Sequence, residues 1–184
     1  AAAAHVIILV FSKDLGSAVI FFAGYLIMVF IATKNYFYLF AGILGGAGAS
    51  IVAYHMFSHV RTRVIAFLHP WRNINDSGYQ ITQSLFAIGT GGWFGLGIDQ
   101  GDPTSIPYVE QDFVFSAVAE EMGVIFGICL ILVCVSCFIV FMKIAMQLKE
   151  DFYRYIAVGI STIYIFQVFL TIGGGTRFIP LTGV

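Results

Sequence analysis

Charged side chains make up only 10% of this 184-residue chain, where a soluble globular domain carries about 25%. Nine Lys+Arg stand against ten Asp+Glu, a net charge of −1, so there is no basic field to hold nucleic acid. With 59% hydrophobic residues and a mean hydropathy of +0.92, the composition excludes both a water-soluble enzyme and a disordered chain. Cysteine is equally sparse. Cys129, Cys134 and Cys137 share one apolar run, which suits small hydrophobic packing rather than a disulfide framework or a thiolate metal site. No basic segment followed by a cleavage pattern marks a secretory leader. The chain opens on Ala1-Ala2-Ala3-Ala4-His5 and closes on Thr182-Gly183-Val184. It therefore reads as a fragment of a longer protein.

What the chain has in quantity is apolar runs. A spanning helix needs about 20 predominantly apolar residues, and four segments qualify: 15–33, 35–60, 122–142 with a helix that begins earlier, near Asp112, and 155–176. The sequence thus predicts an all-α, polytopic membrane helix bundle within a single membrane domain. Between the second and third spans lies a long loop, 61–111. Its apolar part is too rich in glycine for a straight membrane helix. A short amphipathic helix from Gln80 to Ile88 leading into a glycine loop at the membrane surface fits better. If four helices cross in succession, Lys13, Asp14, Arg61, Arg63, Arg72, Asp112 and Arg177 all face one compartment. Lys34, Lys143, Lys149 and Arg154 on the short links favour the cytoplasm for the other side, and so place the long loop outside.

Several polar residues could carry chemistry. Asp112 stands where a polar loop meets an apolar helix. Its charge can favour the helix N-terminus, or it can take a proton from an attacking hydroxyl as a general base. Glu120 and Glu121 lie two turns further on, where carboxylates are costly; they pair with a cation of another helix, or orient substrate and tune Asp112. Asp14 is an N-cap candidate or a substrate contact. Arg61 and Arg63 anchor lipid headgroups or bind phosphate oxygens through the guanidinium fork. At i and i+2 they sit about 200° apart on a helix, so they do not form a single clamp. Gly89-Thr90-Gly91-Gly92-Trp93-Phe94-Gly95-Leu96-Gly97 matches neither dinucleotide fingerprint nor P-loop and reads as flexible backbone near a membrane-bound substrate. His55, His59 and His69 lack the further ligands of a zinc site. There is no GxSxG elbow.

The order of these segments is more specific than any one of them. Asp14-Leu15-Gly16-Ser17-Ala18, Arg63-Val64 through His69-Pro70-Trp71, Gly78-Tyr79-Gln80-Ile81-Thr82-Gln83-Ser84, Ala87-Ile88-Gly89, Asp112-Phe113-Val114-Phe115, Glu120-Glu121-Met122-Gly123 and Ile179-Pro180-Leu181-Thr182-Gly183-Val184 together resemble the SEDS family (shape, elongation, division and sporulation), which includes FtsW-like, RodA-like and SpoVE-like proteins. The resemblance runs from Asp14 to Val184. It implies a fold of about ten helices, of which this chain would hold the sixth to ninth and the tail of the fifth. It also implies the bacterial cytoplasmic (inner) membrane, with the long loop extracytoplasmic.

The activity implied is peptidoglycan glycosyltransfer, the polymerisation of lipid II into glycan strands, with Asp112 as the catalytic carboxylate. Arg61, Arg63, Asp14, Gln80, Gln83, Glu120 and Glu121 are the substrate-binding candidates. The implied partners are lipid II, a class B penicillin-binding protein and membrane lipids. No metal ligand set is implied; a divalent cation, Mg or Mn, is the one cofactor candidate, as support for the departing diphosphate. The sequence departs from the family pattern at Gln111, where Thr is common, and at Thr171-Ile172-Gly173, in place of Asn-Ile-Gly. Two other functions use the same groove and carboxylates: flipping a lipid-linked sugar, and scaffolding that activates a transpeptidase.

Overall fold

The structure, a computed structural model, describes residues 15–74 and 78–181. Asp14 lies outside the described residues. The described chain is helical: α1 Leu15–Thr33, α2 Tyr36–Met56, α3 Ser58–Leu68, α4 Tyr79–Gly91, α5 Val114–Gln147 and α6 Asp151–Gly175, with 3₁₀ turns at Pro70–Asn73 and Pro103–Ser105. Four of them, α1, α2, α5 and α6, are long and apolar enough to cross a membrane, so the chain is a multi-pass membrane protein of the all-α class. It divides into two compact units, 1–58 with 134–168, and 59–133 with 169–184.

In the first unit α1 and α2 form a hairpin. Lys34 takes φ 52° in the link, and the side chain of Asn35 accepts from Phe37 N at 2.9 Å. That satisfies one of the amides left open at a helix start. Small residues then let the backbones approach, as in membrane helix pairs generally: Gly46 of α2 lies against Phe22 of α1, and Gly24 of α1 against Ile163 of α6. None of the residues of α2 is buried. A helix that is apolar all round is a membrane span or a core helix, and α2 is long and apolar enough to span.

The apolar run 35–60 is not one helix. It breaks at Phe57, which is extended (φ −110°, ψ 117°) and whose N–H still bonds Ala53 O at 2.9 Å. The 21 residues of α2 already rise about 31 Å, the thickness of the hydrocarbon core. Beyond the break, Ser58, His59, Arg61, Thr62 and Arg63 make α3 polar on much of its surface. The stretch 61–111 is likewise not one long loop: it contains most of α3, both 3₁₀ turns and α4.

The second unit holds the more polar packing. Ala87, Ile106 and Phe113 form a buried cluster, with Val109 and Leu181 against it. Beside it the hydroxyls of Ser84 and Ser116 lie 2.6 Å apart, and Ser84 Oγ donates to Gly175 O at 2.7 Å. These bonds tie α4, α5 and the end of α6. Gly175 sits close against these hydroxyls: a Cβ there would stand 3.2 Å from Ser116 Oγ.

Helix α5 is broken at Gly123 (φ 86°, ψ 166°), a conformation essentially confined to glycine. The glycine-rich turn after α4 docks into this break. Val124 N donates to Gly92 O at 3.0 Å and Ile125 N to Trp93 O at 3.3 Å; in return Leu96 N and Gly97 N donate to the carbonyls of Glu120 and Glu121, each at 2.9 Å. The orphan backbone groups of a broken membrane helix are thus satisfied by a second segment, as a low-dielectric surrounding requires. Glycines allow the approach: a Cβ on Gly95 would lie 2.2 Å from Glu121 O. The turn expected as flexible backbone is instead a fixed, interlocked one.

Candidate functional site

The site is built in the second unit around Phe113. That ring is 1% exposed and its carbonyl accepts from Ser116 N at 2.9 Å and Ala117 N at 3.2 Å, so Phe113 occupies the cap position of α5. Asp112 stands one residue earlier, its own N–H bonded to Tyr108 O at 3.2 Å. A buried aromatic on one side and a hydrogen-bonded loop on the other hold the half-buried carboxylate at the rim of the cluster.

Asp112 lines a cleft of about 170 Å³ together with Thr62, Arg63, Ala66 and Phe67 of α3, Gln80 and Ile81 of α4, and Leu181. Sites that bury a whole drug-sized ligand run to about 300–1,000 Å³. The cleft, at about 170 Å³, has room for one ring or one headgroup rather than a whole drug-sized ligand. Its polar wall contains one carboxylate, one guanidinium, one amide and the hydroxyl of Thr62; the other lining residues are apolar. A carboxylate can accept a proton, a guanidinium can hold phosphate oxygens, and an amide can both donate to and accept from a sugar hydroxyl.

Of the residues singled out in the sequence, the fold brings Asp112, Arg63 and Gln80 together. Arg61 is exposed on α3 and does not line the cleft; Gln83 is half-buried on α4 and does not line it either. Glu120 and Glu121 belong to a different neighbourhood. Glu120 is 7% exposed, and its Oε1 accepts from Asp102 N at 3.5 Å, while Glu121 Oε1 accepts from Asp99 N at 3.3 Å. Side chains and carbonyls of this pair together hold the segment 96–102. Among the described residues no three His, Cys, Asp or Glu side chains form a group that could hold a metal ion.

Thr62, Phe67 and Leu181 were not singled out as site residues by sequence reasoning, since a threonine or an apolar side chain at a helical position carries no chemical signal of its own. Arg177 is a further contributor. Its Nε donates to Phe67 O at 3.0 Å and its terminal nitrogen to Leu68 O at 3.4 Å. It closes the C-terminus of α3, where a cation also complements the helix dipole, and so fixes the helix that carries Arg63. Replacing Arg177 by Met is expected to lower stability by about 1–3 kcal/mol, the range for a charged hydrogen bond lost to partly buried carbonyls. Lys should recover only part of this, lacking the fork; thermal melts of the three proteins in detergent read the series.

The chain matches the FtsW/RodA/SpoVE family, described as cell cycle protein, over residues 1–184. It is 37% identical over 178 residues to the peptidoglycan glycosyltransferase RodA of Mycobacterium bovis, covering 96% of this chain and 38% of that one. It is 34% identical to a probable peptidoglycan glycosyltransferase FtsW of Aliivibrio salmonicida, covering 96% and 45%. To the stage V sporulation protein E of Bacillus subtilis it is 30% identical, covering 97% and 49%. The chain spans less than half the length of these curated relatives. On the match along its whole length and on these identities, the chain belongs to the FtsW/RodA/SpoVE family of cell cycle proteins.

Proposed function

We propose that the protein to which this chain belongs is a peptidoglycan glycosyltransferase that polymerises lipid II, and that the cleft around Asp112 is part of its active site. The observation that carries this reading is the convergence of Asp112, Arg63 and Gln80 on one small cleft in a membrane protein whose relatives include named peptidoglycan glycosyltransferases. Asp112 takes the proton from the 4-hydroxyl of the acceptor GlcNAc as that oxygen attacks C1 of the donor MurNAc. The bond from C1 to the undecaprenyl diphosphate breaks, its electron pair leaves with the diphosphate, and the α linkage becomes β. An alcohol is a weak nucleophile, and a positioned base contributes about 10²–10⁴ in rate.

Arg63 neutralises charge on the departing diphosphate, with Arg61, exposed on the same helix, and Asp14 as further substrate contacts. Gln80 orients a sugar hydroxyl, and Gln83, on the same helix but outside the cleft, is a further substrate contact. Glu120 and Glu121 act on substrate through the segment they hold. A divalent cation, Mg or Mn, would take Asp112, the one acidic residue lining the cleft, together with substrate phosphates, an arrangement Mg accepts. A coordinated carboxylate is a poorer base, so charge neutralisation is assigned to Arg63.

The site faces the outside of the cytoplasmic membrane, where the glycan strand is built, and the working partner is a class B penicillin-binding protein. Purified full-length protein with that partner, given lipid II in detergent, is expected to yield glycan polymer. Lipid II translocation across vesicles without polymer would assign transport instead, and partner binding without polymer would assign a scaffold.

A further inference from the structure

Residues 123–142 contain no Asp, Glu, Lys or Arg, and are bounded by Glu120 and Glu121 on one side and Lys143 on the other. At about 1.5 Å per residue they rise about 30 Å, the thickness of the bilayer's hydrocarbon core. The break at Gly123 therefore coincides with one hydrocarbon boundary. The glycine-rich turn is hydrogen-bonded to the first residues beyond that break, Val124 and Ile125, so it lies at the same depth. Its tip carries Trp93, 67% exposed, and Phe94, 85% exposed. The tip has little freedom to fold back over its own chain, because its backbone is held on both sides by bonds to residues 120–125 and by approaches that leave no room for a Cβ at Gly91, Gly95 or Gly123.

We propose that the Trp93–Phe94 tip is an interfacial lipid anchor, inserted into the headgroup region of the leaflet at the Gly123 end of α5. The occupant is phospholipid because the tip is continuous with exposed apolar residues of a helix long and apolar enough to span a membrane: Ile125 and Phe126, immediately beside it, are exposed as well. An indole at a hydrocarbon boundary places its ring against acyl chains and its N–H among headgroups. Rigid attachment to α5 turns this contact into a depth stop for the second unit, which also contains the cleft. The inference is independent of the glycosyltransferase reading.

The test uses the full-length protein, with its native cysteines replaced, in vesicles of phosphatidylethanolamine and phosphatidylglycerol. A nitroxide is placed at Phe94→Cys, with Gln100→Cys as the aqueous reference and Leu132→Cys as the membrane reference. The Phe94 label should collide with oxygen more than with a water-soluble nickel chelate, at a depth between the two references. A label as accessible to nickel as the one at Gln100 would put the tip in water, and one reached by neither collider would put it under protein; either overturns the proposal. A second measurement leaves the native cysteines in place: quenching of tryptophan emission by brominated lipids should lose a component in Trp93→Phe. An unchanged quenching profile also overturns it.

Discussion

Replacing Asp112 by Asn in the full-length protein is expected to lower glycan polymerisation by about 10²–10⁴ while lipid II binding and thermal stability stay near those of the parent. The substitution keeps size and shape, replaces one carboxylate oxygen by an amide nitrogen, and so removes the negative charge and the ability to take a proton. The alternative role of this residue, favouring the start of α5 by its charge, predicts a different outcome. Charge near a helix N-terminus contributes about 0.3–1 kcal/mol, and Asp112 sits one residue before the cap position. A purely structural Asp112 would therefore show a slightly lower melting temperature and near-normal polymer. Measuring polymer length and yield, lipid II binding and unfolding on the same preparation separates the two.

The second large effect is expected at Gly123. Alanine there would have to adopt φ 86° and ψ 166°, at about 1–3 kcal/mol for a strained residue. Its Cβ would also stand 2.4 Å from Trp93 O and 2.5 Å from Gly95 N, both backbone atoms that cannot rotate away. Relief requires moving the turn and giving up hydrogen bonds of Val124, Ile125, Leu96 and Gly97, each worth about 0.5–1.5 kcal/mol net and more where water is excluded. Gly123→Ala should accordingly cost several kcal/mol and show as lost monodisperse protein in detergent. Gly89→Ala is the matched control: a Cβ there meets nothing within 4 Å in the last turns of α4, and alanine is the better helix former by about 1 kcal/mol. Equal losses at both positions would mean that the interlock does not govern stability.

These two residues also show how far the sequence can be read. Asp112 stands out in the sequence because it is a carboxylate where a polar loop meets an apolar helix. Gly123 does not. Before the fold is known it is one of 20 glycines, and nothing local distinguishes a glycine that breaks a helix from one that merely sits within it. The same holds for Glu120 and Glu121, adjacent acids whose bonds run to Asp102 and Asp99, about twenty positions back along the chain. It holds too for the end of α2 at Met56: an uncharged run reports how far a helix could extend, and only packing decides where it stops.

By itself, then, the sequence determined the all-α membrane class, the presence of four helices long and apolar enough to span, and the family, because apolar length, charge scarcity and motif order are properties of contiguous residues. Tertiary structure alone decided which of two arginines two positions apart lines the cleft, that Gln80 does and Gln83 does not, and that the glycine-rich turn is an interlock rather than a flexible flap. Those outcomes depend on the rotational phase of helices and on backbone hydrogen bonds between segments distant in the chain, and neither leaves a mark in the order of residues.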